Sequence, residues 1–276
     1  MYKKLTGKEP AEEVLEKAKM IIQEKGLNPV LAIVLVGKNP ASEIYVRNKI
    51  KKAESIGMKA ELHRLPTSIN ETELLEIVDK LNNDKKISGF IVQMPLPEHI
   101  NPDKVIESID PKKDVDGFHP INMGKVFMGI AGEKSLTPAT PTGIIKMLDY
   151  YKVEIEGKNA VVVGRSNIVG KPVAAMLLNR NATVTTCHSK TKDLEKHTKN
   201  ADILIVAVGK PGLIKEEMVK EGACVVDVGT TRIGEKLVGD VDFEKVIEKA
   251  NCSPVPGGVG QLTTSILIKN TVNASF

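Results

Sequence analysis

Val161-Val-Val-Gly-Arg-Ser-Asn-Ile-Val-Gly170 is a short apolar run that breaks on Gly164, passes Arg165 and Ser166, and restarts at Gly170. It reads as a β-strand, a tight turn and a helix start. Backbone N–H groups left free in such a turn converge with the positive end of the following helix on one point, which suits a dinucleotide pyrophosphate. Gly164, Arg165, Ser166, Val169 and Gly170 are therefore the first candidate cofactor residues. The spacing is Gly-x5-Gly rather than G-x-G-x-x-G, so a strand-to-helix turn of any α/β protein is the competing reading.

Beyond the turn the pattern predicts a helix over 168–179 and a strand over 182–188, ending at Ser189-Lys-Thr-Lys192 with no acid in place. A site for NAD puts Asp or Glu at the end of that second strand, whereas a 2′-phosphate wants a cation and hydroxyls. Arg165, Ser166 and Ser189 supply them, and a guanidinium fork can clamp a phosphate. The expected cofactor is NADP.

A chain of 276 residues suits one large or two medium domains. Apolar runs are strand-length, so a membrane protein is excluded, and the charged start Met1-Tyr-Lys-Lys shows no signal or transit peptide. Cys187, Cys224 and Cys252 are far apart and lack metal spacing, which fits reduced, buried thiols in a cytoplasmic protein. The net charge of +4 is spread through Lys-Glu helices, so nucleic-acid binding is not expected. A mild positive excess fits anionic small molecules, and a solvated lysine-rich surface accounts for it equally well.

Strand patterns at 30–36, 59–65, 87–93, 159–163, 183–187, 203–206 and 224–228 alternate with helical ones at 41–56, 71–82, 143–150, 169–178 and 243–249. The expected fold class is α/β with mostly parallel strands. Thr137-Pro-Ala-Thr-Pro-Thr-Gly143 reads as a hinge between two halves. Ser253-Pro-Val-Pro-Gly-Gly-Val-Gly260 precedes a last helix, 262–272, that could return to the first half. The expected domains are residues 1–139 plus 257–276, discontinuous, and 140–256.

In the first half, Tyr45 and Lys49 stand four apart on one helix face. A packed surface pair is the bland reading, and their place far ahead of Gly164 excludes the Y-x-x-x-K of short-chain dehydrogenases. Phe90-Ile-Val-Gln-Met-Pro-Leu-Pro97 reads as a buried strand ending in Gln93, where polar side chains face the ligand crevice. Asp114-Val-Asp-Gly117 could suggest a metal, but no further acids follow at calcium-loop spacing, and an Asx-type turn at Asp114 competes. The histidines are dispersed, and no metal site is expected.

Asp114-Val-Asp-Gly-Phe-His-Pro120, Val92-Gln-Met-Pro-Leu-Pro97, Tyr45-Val-x-x-Lys49, Gly164-Arg-Ser-x-x-Val-Gly-Lys-Pro172 and Pro254-Val-Pro-Gly-Gly-Val-Gly260 occur together in one chain. The set resembles the bifunctional methylenetetrahydrofolate dehydrogenase/methenyltetrahydrofolate cyclohydrolase family, in its short stand-alone form, over about residues 41–270. The resemblance implies a folate-binding catalytic domain and a Rossmann-type NADP-binding domain with the active-site cleft between them. It implies oxidation of methylenetetrahydrofolate with NADP and hydrolysis of the methenyl product to formyltetrahydrofolate. It also implies a cytoplasmic homodimer in one-carbon metabolism, with folate as the small-molecule partner.

The resemblance further implies Lys49, Gln93, Tyr45 and Asp116 as the catalytic group. It adds Val208, Gly209 and Thr230 to the cofactor residues, and Pro256, Gly257 and Gly258 to Tyr45 and Asp116 on the folate side. A carboxylate can accept the paired donors of the pterin edge, which fits Asp116. Water attack on the methenyl carbon needs proton relocation, which fits Lys49 once burial disfavours its ammonium. Gln93 can bond Lys49 without adding charge. Ala139, Thr230-Thr231 and Gln261-Leu262 depart from the family pattern and bear on affinity and cofactor choice. Two alternatives stand beside this reading: another two-domain NADP-dependent dehydrogenase, shikimate-dehydrogenase-like, and a non-catalytic NADP-binding sensor.

Overall fold

The computed structural model describes residues 2–276. In chain order the elements are α1 (Lys8–Lys25), β1 (Val30–Val36), α2 (Pro40–Ser55), β2 (Lys59–Leu65), α3 (Glu71–Asn83), β3 (Gly89–Val92), α4 (Pro102–Ser108), α5 (Pro120–Phe127) and α6 (Ala139–Tyr150). They continue as β4 (Asn159–Val163), α7 (Gly170–Leu178), β5 (Thr183–Cys187), α8 (Leu194–Thr198), β6 (Ile203–Val206), β7 (Cys224–Asp227), β8 (Thr231–Ile233), β9 (Lys236–Val238), α9 (Phe243–Val246), β10 (Asn251–Cys252) and α10 (Val259–Asn273). Two compact units result: Glu13–Ala139 with Thr264–Phe276, and Thr140–Thr263 with the N-terminal segment up to Glu12.

The first unit holds a parallel sheet of order β2-β1-β3. Leu31–Val36 are buried along β1, as a central strand covered on both faces requires, while β2 is half exposed at the edge. Phe90 and Val92 of β3 pack with Ala32, Val34, Leu74, Val78 and Leu81 into one core. Asn39 caps α2 through bonds from the Ala41 and Ser42 amides, with Pro40 in the first turn, and Asn70 and Glu73 form a reciprocal capping box on α3. These caps fix where each helix leaves the carboxyl edge of the sheet.

The second unit holds a five-stranded parallel sheet, β10-β7-β6-β4-β5, and a small antiparallel pair, β8-β9. Counted within the unit this is the doubly wound order 2-1-3-4-5, whose direction of winding reverses between β4 and β6. Ligands bind at such a switch point, beyond the carboxyl ends of the strands. Val161, Val163, Leu204, Val206 and Val225 form the centre of its core.

The expected junction at Thr137–Gly143 lies inside a helix: the units divide between Ala139 and Thr140, α6 begins at Ala139, and Pro141 falls in its first turn, where a missing N–H costs nothing. The segment before Glu12 and residues 257–263 belong with the five-stranded sheet rather than with the first half. The reason is backbone pairing: Lys4 bridges Cys252 in parallel, and the Leu5 and Gly7 amides donate to Cys252 O at 2.9 Å and Gly257 O at 2.8 Å. Helices α1, α4, α5 and α8 and the β8-β9 hairpin were not anticipated.

Candidate active site

In the first unit, Gln93 follows directly on β3, and its amide donates to Val34 O at 2.8 Å, which extends the ladder to the sheet's carboxyl edge. Lys49 lies on α2, the helix that leaves the same edge after β1. Its Nζ donates to Gln93 Oε1 at 3.0 Å. Gln93 Nε2 donates to Met94 O at 2.6 Å, so both ends of this amide are committed and its oxygen is turned to the lysine. Tyr45, one turn earlier on α2, is 44% exposed and free to meet a ligand.

Asp116 reaches the same edge by another route. The Phe90 amide donates to Lys113 O at 3.0 Å, and Asp114 bridges Phe90, so this stretch runs beside β3. Asp114 is 2% exposed and spends its carboxylate on the loop. Its Oδ1 accepts from Gly117 N at 3.1 Å, and its Oδ2 from His119 N at 2.8 Å and Asn122 Nδ2 at 2.9 Å. The Asx-type reading of Asp114 therefore holds. Asn270 of α10 adds a clamp, donating to Val115 O at 2.9 Å and Thr137 O at 2.8 Å. A cavity of about 10 Å³, room for one water, opens among Val92, Met94, Asp114, Asp116 and Phe118.

Burial sets the charge states. Lys49 keeps part of its side chain accessible, yet its amine sits deep among protein atoms, and desolvation lowers its pKa from the ordinary lysine value against the opposing pull of Asp116. The Asp116 carboxyl is pushed up by burial and by the charge of Asp114, with Lys49 acting the other way. Each group thus holds the other nearer its ionised form.

In the second unit, Gly164 ends β4 with φ of 128°, and a Cβ there would lie 2.2 Å from Ala207 O at the end of β6. A Cβ on Gly170 would lie 2.2 Å from Gly164 O, so the turn closes only on glycines. Ser166 Oγ accepts from the Val169 amide at 3.2 Å and more weakly from Gly170 N at 3.4 Å, across the start of α7. The Gly164 amide donates to Cys187 O at 2.9 Å, which ties the end of β5 to the turn, and Arg165 and Ser189 are both exposed. The donor set fits a dinucleotide with a 2′-phosphate: a glycine-lined helix start, a guanidinium, two hydroxyls and no acid at the end of β5.

Val208 and Gly209 follow β6 at the switch point, Thr230 is exposed after β7, and Pro256 and Gly257 are exposed while Gly258 is buried. Cys187, Cys224 and Cys252 are free and buried, and burial pushes the Cys224 thiol to about 12. Sequence reasoning missed Asp227 and Asp240. Asp227 Oδ1 accepts from Gly229 N and Asp240 N, both at 2.9 Å, and its Oδ2 from Val241 N at 2.9 Å. The visible signal is an acid at each of two strand exits, Asp227 after Val225-Val226 and Asp240 after Val238-Gly239.

Comparison with known proteins agrees with both halves. The model of the tetrahydrofolate dehydrogenase/cyclohydrolase catalytic domain matches residues 5–116, and that of the tetrahydrofolate dehydrogenase/cyclohydrolase NAD(P)-binding domain matches 138–276. The bifunctional protein FolD of Halothermothrix orenii is 55% identical over 278 residues, covering 99% of this chain and 98% of that one. The crystal structure of the bifunctional FolD methylenetetrahydrofolate dehydrogenase/cyclohydrolase of Campylobacter jejuni superposes with a TM-score of 0.96 at 46% identity, covering 100% and 99%. The Trypanosoma brucei methylenetetrahydrofolate dehydrogenase-cyclohydrolase, solved with NADP cofactor and inhibitor, gives 0.90 at 36% identity, covering 97% and 94%.

Proposed function

Since the chain belongs to the tetrahydrofolate dehydrogenase/cyclohydrolase family, we propose that it oxidises methylenetetrahydrofolate to methenyltetrahydrofolate with NADP and hydrolyses the methenyl product to formyltetrahydrofolate. The observation that carries the hydrolytic step is the Lys49–Gln93 pair at the sheet edge, under the electrostatic influence of Asp116. A sensor would need neither a buried amine nor a carboxylate beside it. Family membership also leaves the shikimate-dehydrogenase-like alternative without support.

Asp116, in its ionised form, accepts the amino and ring N–H donors of the pterin and sets the direction of the folate. Tyr45 lies against the substrate, with Pro256, Gly257 and Gly258 as a further folate surface. Gly164, Arg165, Ser166, Val169, Gly170 and Ser189, with Val208, Gly209 and Thr230, would hold NADP, and Arg165 would take its 2′-phosphate. NADP held there would supply the hydride acceptor for the methylene carbon, whose neighbouring nitrogen lone pair forms the C=N bond. No side chain need give or take a proton in that step, so positioning is the protein's contribution.

Hydrolysis does need one. Water adds to the cationic methenyl carbon, and neutral Lys49 takes the proton released as the C–O bond forms. The ring then opens by cleavage of one C–N bond as the new hydroxyl becomes the formyl C=O, with Lys49 returning its proton to the departing nitrogen and the hydroxyl proton leaving to solvent. Burial lowers the lysine pKa toward the range where this traffic is possible, and Gln93 directs the amine without a charge that would hold it protonated. We extend the reading to a cytoplasmic homodimer; among the described residues no helix is long and apolar enough to cross a membrane.

The test is a near-ultraviolet assay with methylenetetrahydrofolate and either NADP or NAD, following reduced cofactor and methenyl product separately. NADPH formation without methenyl accumulation is the expected result. Accumulating methenyl product would remove Lys49 as a working base, and no turnover with either cofactor would overturn the dehydrogenase assignment.

A further inference from the structure

Val208 and Gly209 leave β6 at the switch point with their backbone amides turned inward. Both donate to one oxygen, Oδ2 of Asp240, at 2.7 and 2.9 Å. Asp240 is fully buried and follows β9. Its own amide donates to Asp227 Oδ1 at 2.9 Å, and the Gly229 amide donates to that same oxygen at 2.9 Å. The segment is tied down on its other side by the Ile214 amide, which donates to Asp240 O at 3.0 Å. The exits of β6 and β7 thus hang on one short stretch contributed from further along the chain. Thr231 Oγ1 closes the set by donating to Gly209 O at 3.3 Å.

Free amides at a strand exit are anion donors. Here they are consumed. Because a charged acceptor makes the stronger hydrogen bond, the Val208 and Gly209 amides are held by Asp240 rather than left open to a phosphate. We infer that Asp240 is a positioning residue of the cofactor site, which holds Val208 and Gly209 against the uncharged part of the dinucleotide and leaves its phosphates to the Gly164–Gly170 turn. The inference rests on the proposed NADP reading of these residues. Asp240 touches no substrate in this scheme; it acts through the loop it holds.

Two full-length variants test it, Asp240→Ala and Asp240→Asn, each assayed for NADP-dependent oxidation and, without NADP, for methenyltetrahydrofolate hydrolysis. Hydrolysis uses the folate side alone and reports whether the chain is folded and active. Releasing two buried amides from a charged acceptor raises the NADP KM about ten-fold or more in Asp240→Ala. The kcat changes less, and hydrolysis stays within about two-fold, well under the cost of a lost buried hydrogen bond. Asp240→Asn, which keeps one acceptor oxygen, falls between that value and the wild type. If the Asp240→Ala chain does not fold, the Asn variant decides: a raised NADP KM with intact hydrolysis supports the role. An unchanged KM, or hydrolysis falling in step with NADP affinity, overturns it. A wild-type chain that reduces neither NADP nor NAD would instead fail the functional reading itself.

Discussion

Lys49 Nζ and Gln93 Oε1 lie 3.0 Å apart, and the amide nitrogen of the same glutamine is held by Met94 O, so the lysine faces a neutral acceptor whose direction is fixed. A carboxylate in that place would stabilise the ammonium and defeat a base. The glutamine gives direction without charge, and burial lowers the proton affinity of the amine.

Replacing the lysine separates the two activities. Lys49→Met should cut methenyl hydrolysis by about a hundred-fold or more, the usual worth of a positioned base, while hydride transfer stays measurable. The stability sign is opposite. A lysine whose pKa is lowered on folding costs stability at every pH below its folded value, and the cost vanishes only above the ordinary value of 10.5. Methionine removes it, so thermal melting at pH 7 should rise by about 2–4 °C per kcal/mol regained. Equal loss of both activities would make Lys49 a substrate-positioning group.

Charging the acceptor should shift the pH profile. In Gln93→Glu the new carboxylate raises the Lys49 pKa by about one to three units. The rising limb of hydrolysis against pH then moves up by the same interval, and activity at pH 7 falls, while oxidation is affected less. A profile superimposable on the wild type would show that Gln93 does not tune the amine.

The β4 turn and its helix were legible because they depend on neighbours in sequence: a buried run, Gly164 and Gly170, and a following strand without an acid. Strands β1 and β2 were read to the residue for the same reason. Helix α1 went unread because its inward stripe, Ala11, Val14, Ala18 and Ile22, is thin in large apolar groups. Helices α4 and α5 are short and depend on the caps of Asn101 and His119. The placement of the N-terminal segment rests on the Lys4–Cys252 bridge, a pairing no local pattern announces. Asp240 was invisible for the same reason, since its partners are Val208, Gly209 and Asp227.

Arg165 is the residue proposed to decide the cofactor. It stands exposed between Gly164 and Ser166, and the end of β5 carries exposed Ser189 and no acid. Arg165→Ala removes a charged donor from the 2′-phosphate, which at about 1.5–3 kcal/mol raises the NADP KM roughly ten- to a hundred-fold. The NAD and folate KM values should barely move. Steady-state kinetics with both cofactors checks this, and an equal rise for NAD would assign the arginine to a part of the dinucleotide common to both.

The N-terminal segment should matter to folate affinity although none of its side chains carries chemistry. The Gly7 amide donates to Gly257 O at 2.8 Å, and a Cβ on Gly7 would lie 2.0 Å from Gly258 O. That oxygen belongs to backbone, so it can yield only if the Pro256–Gly258 loop moves. Gly7→Ala should therefore cost about 1–3 kcal/mol of stability, as overpacking does, and raise the folate KM with little change in that for NADP. Gly124→Ala, where a Cβ meets nothing within 4 Å, is the matched control and should leave both KM values alone. If Gly7→Ala melts lower but binds folate like the control, the loop it props up is not a folate surface, and Pro256, Gly257 and Gly258 lose that role.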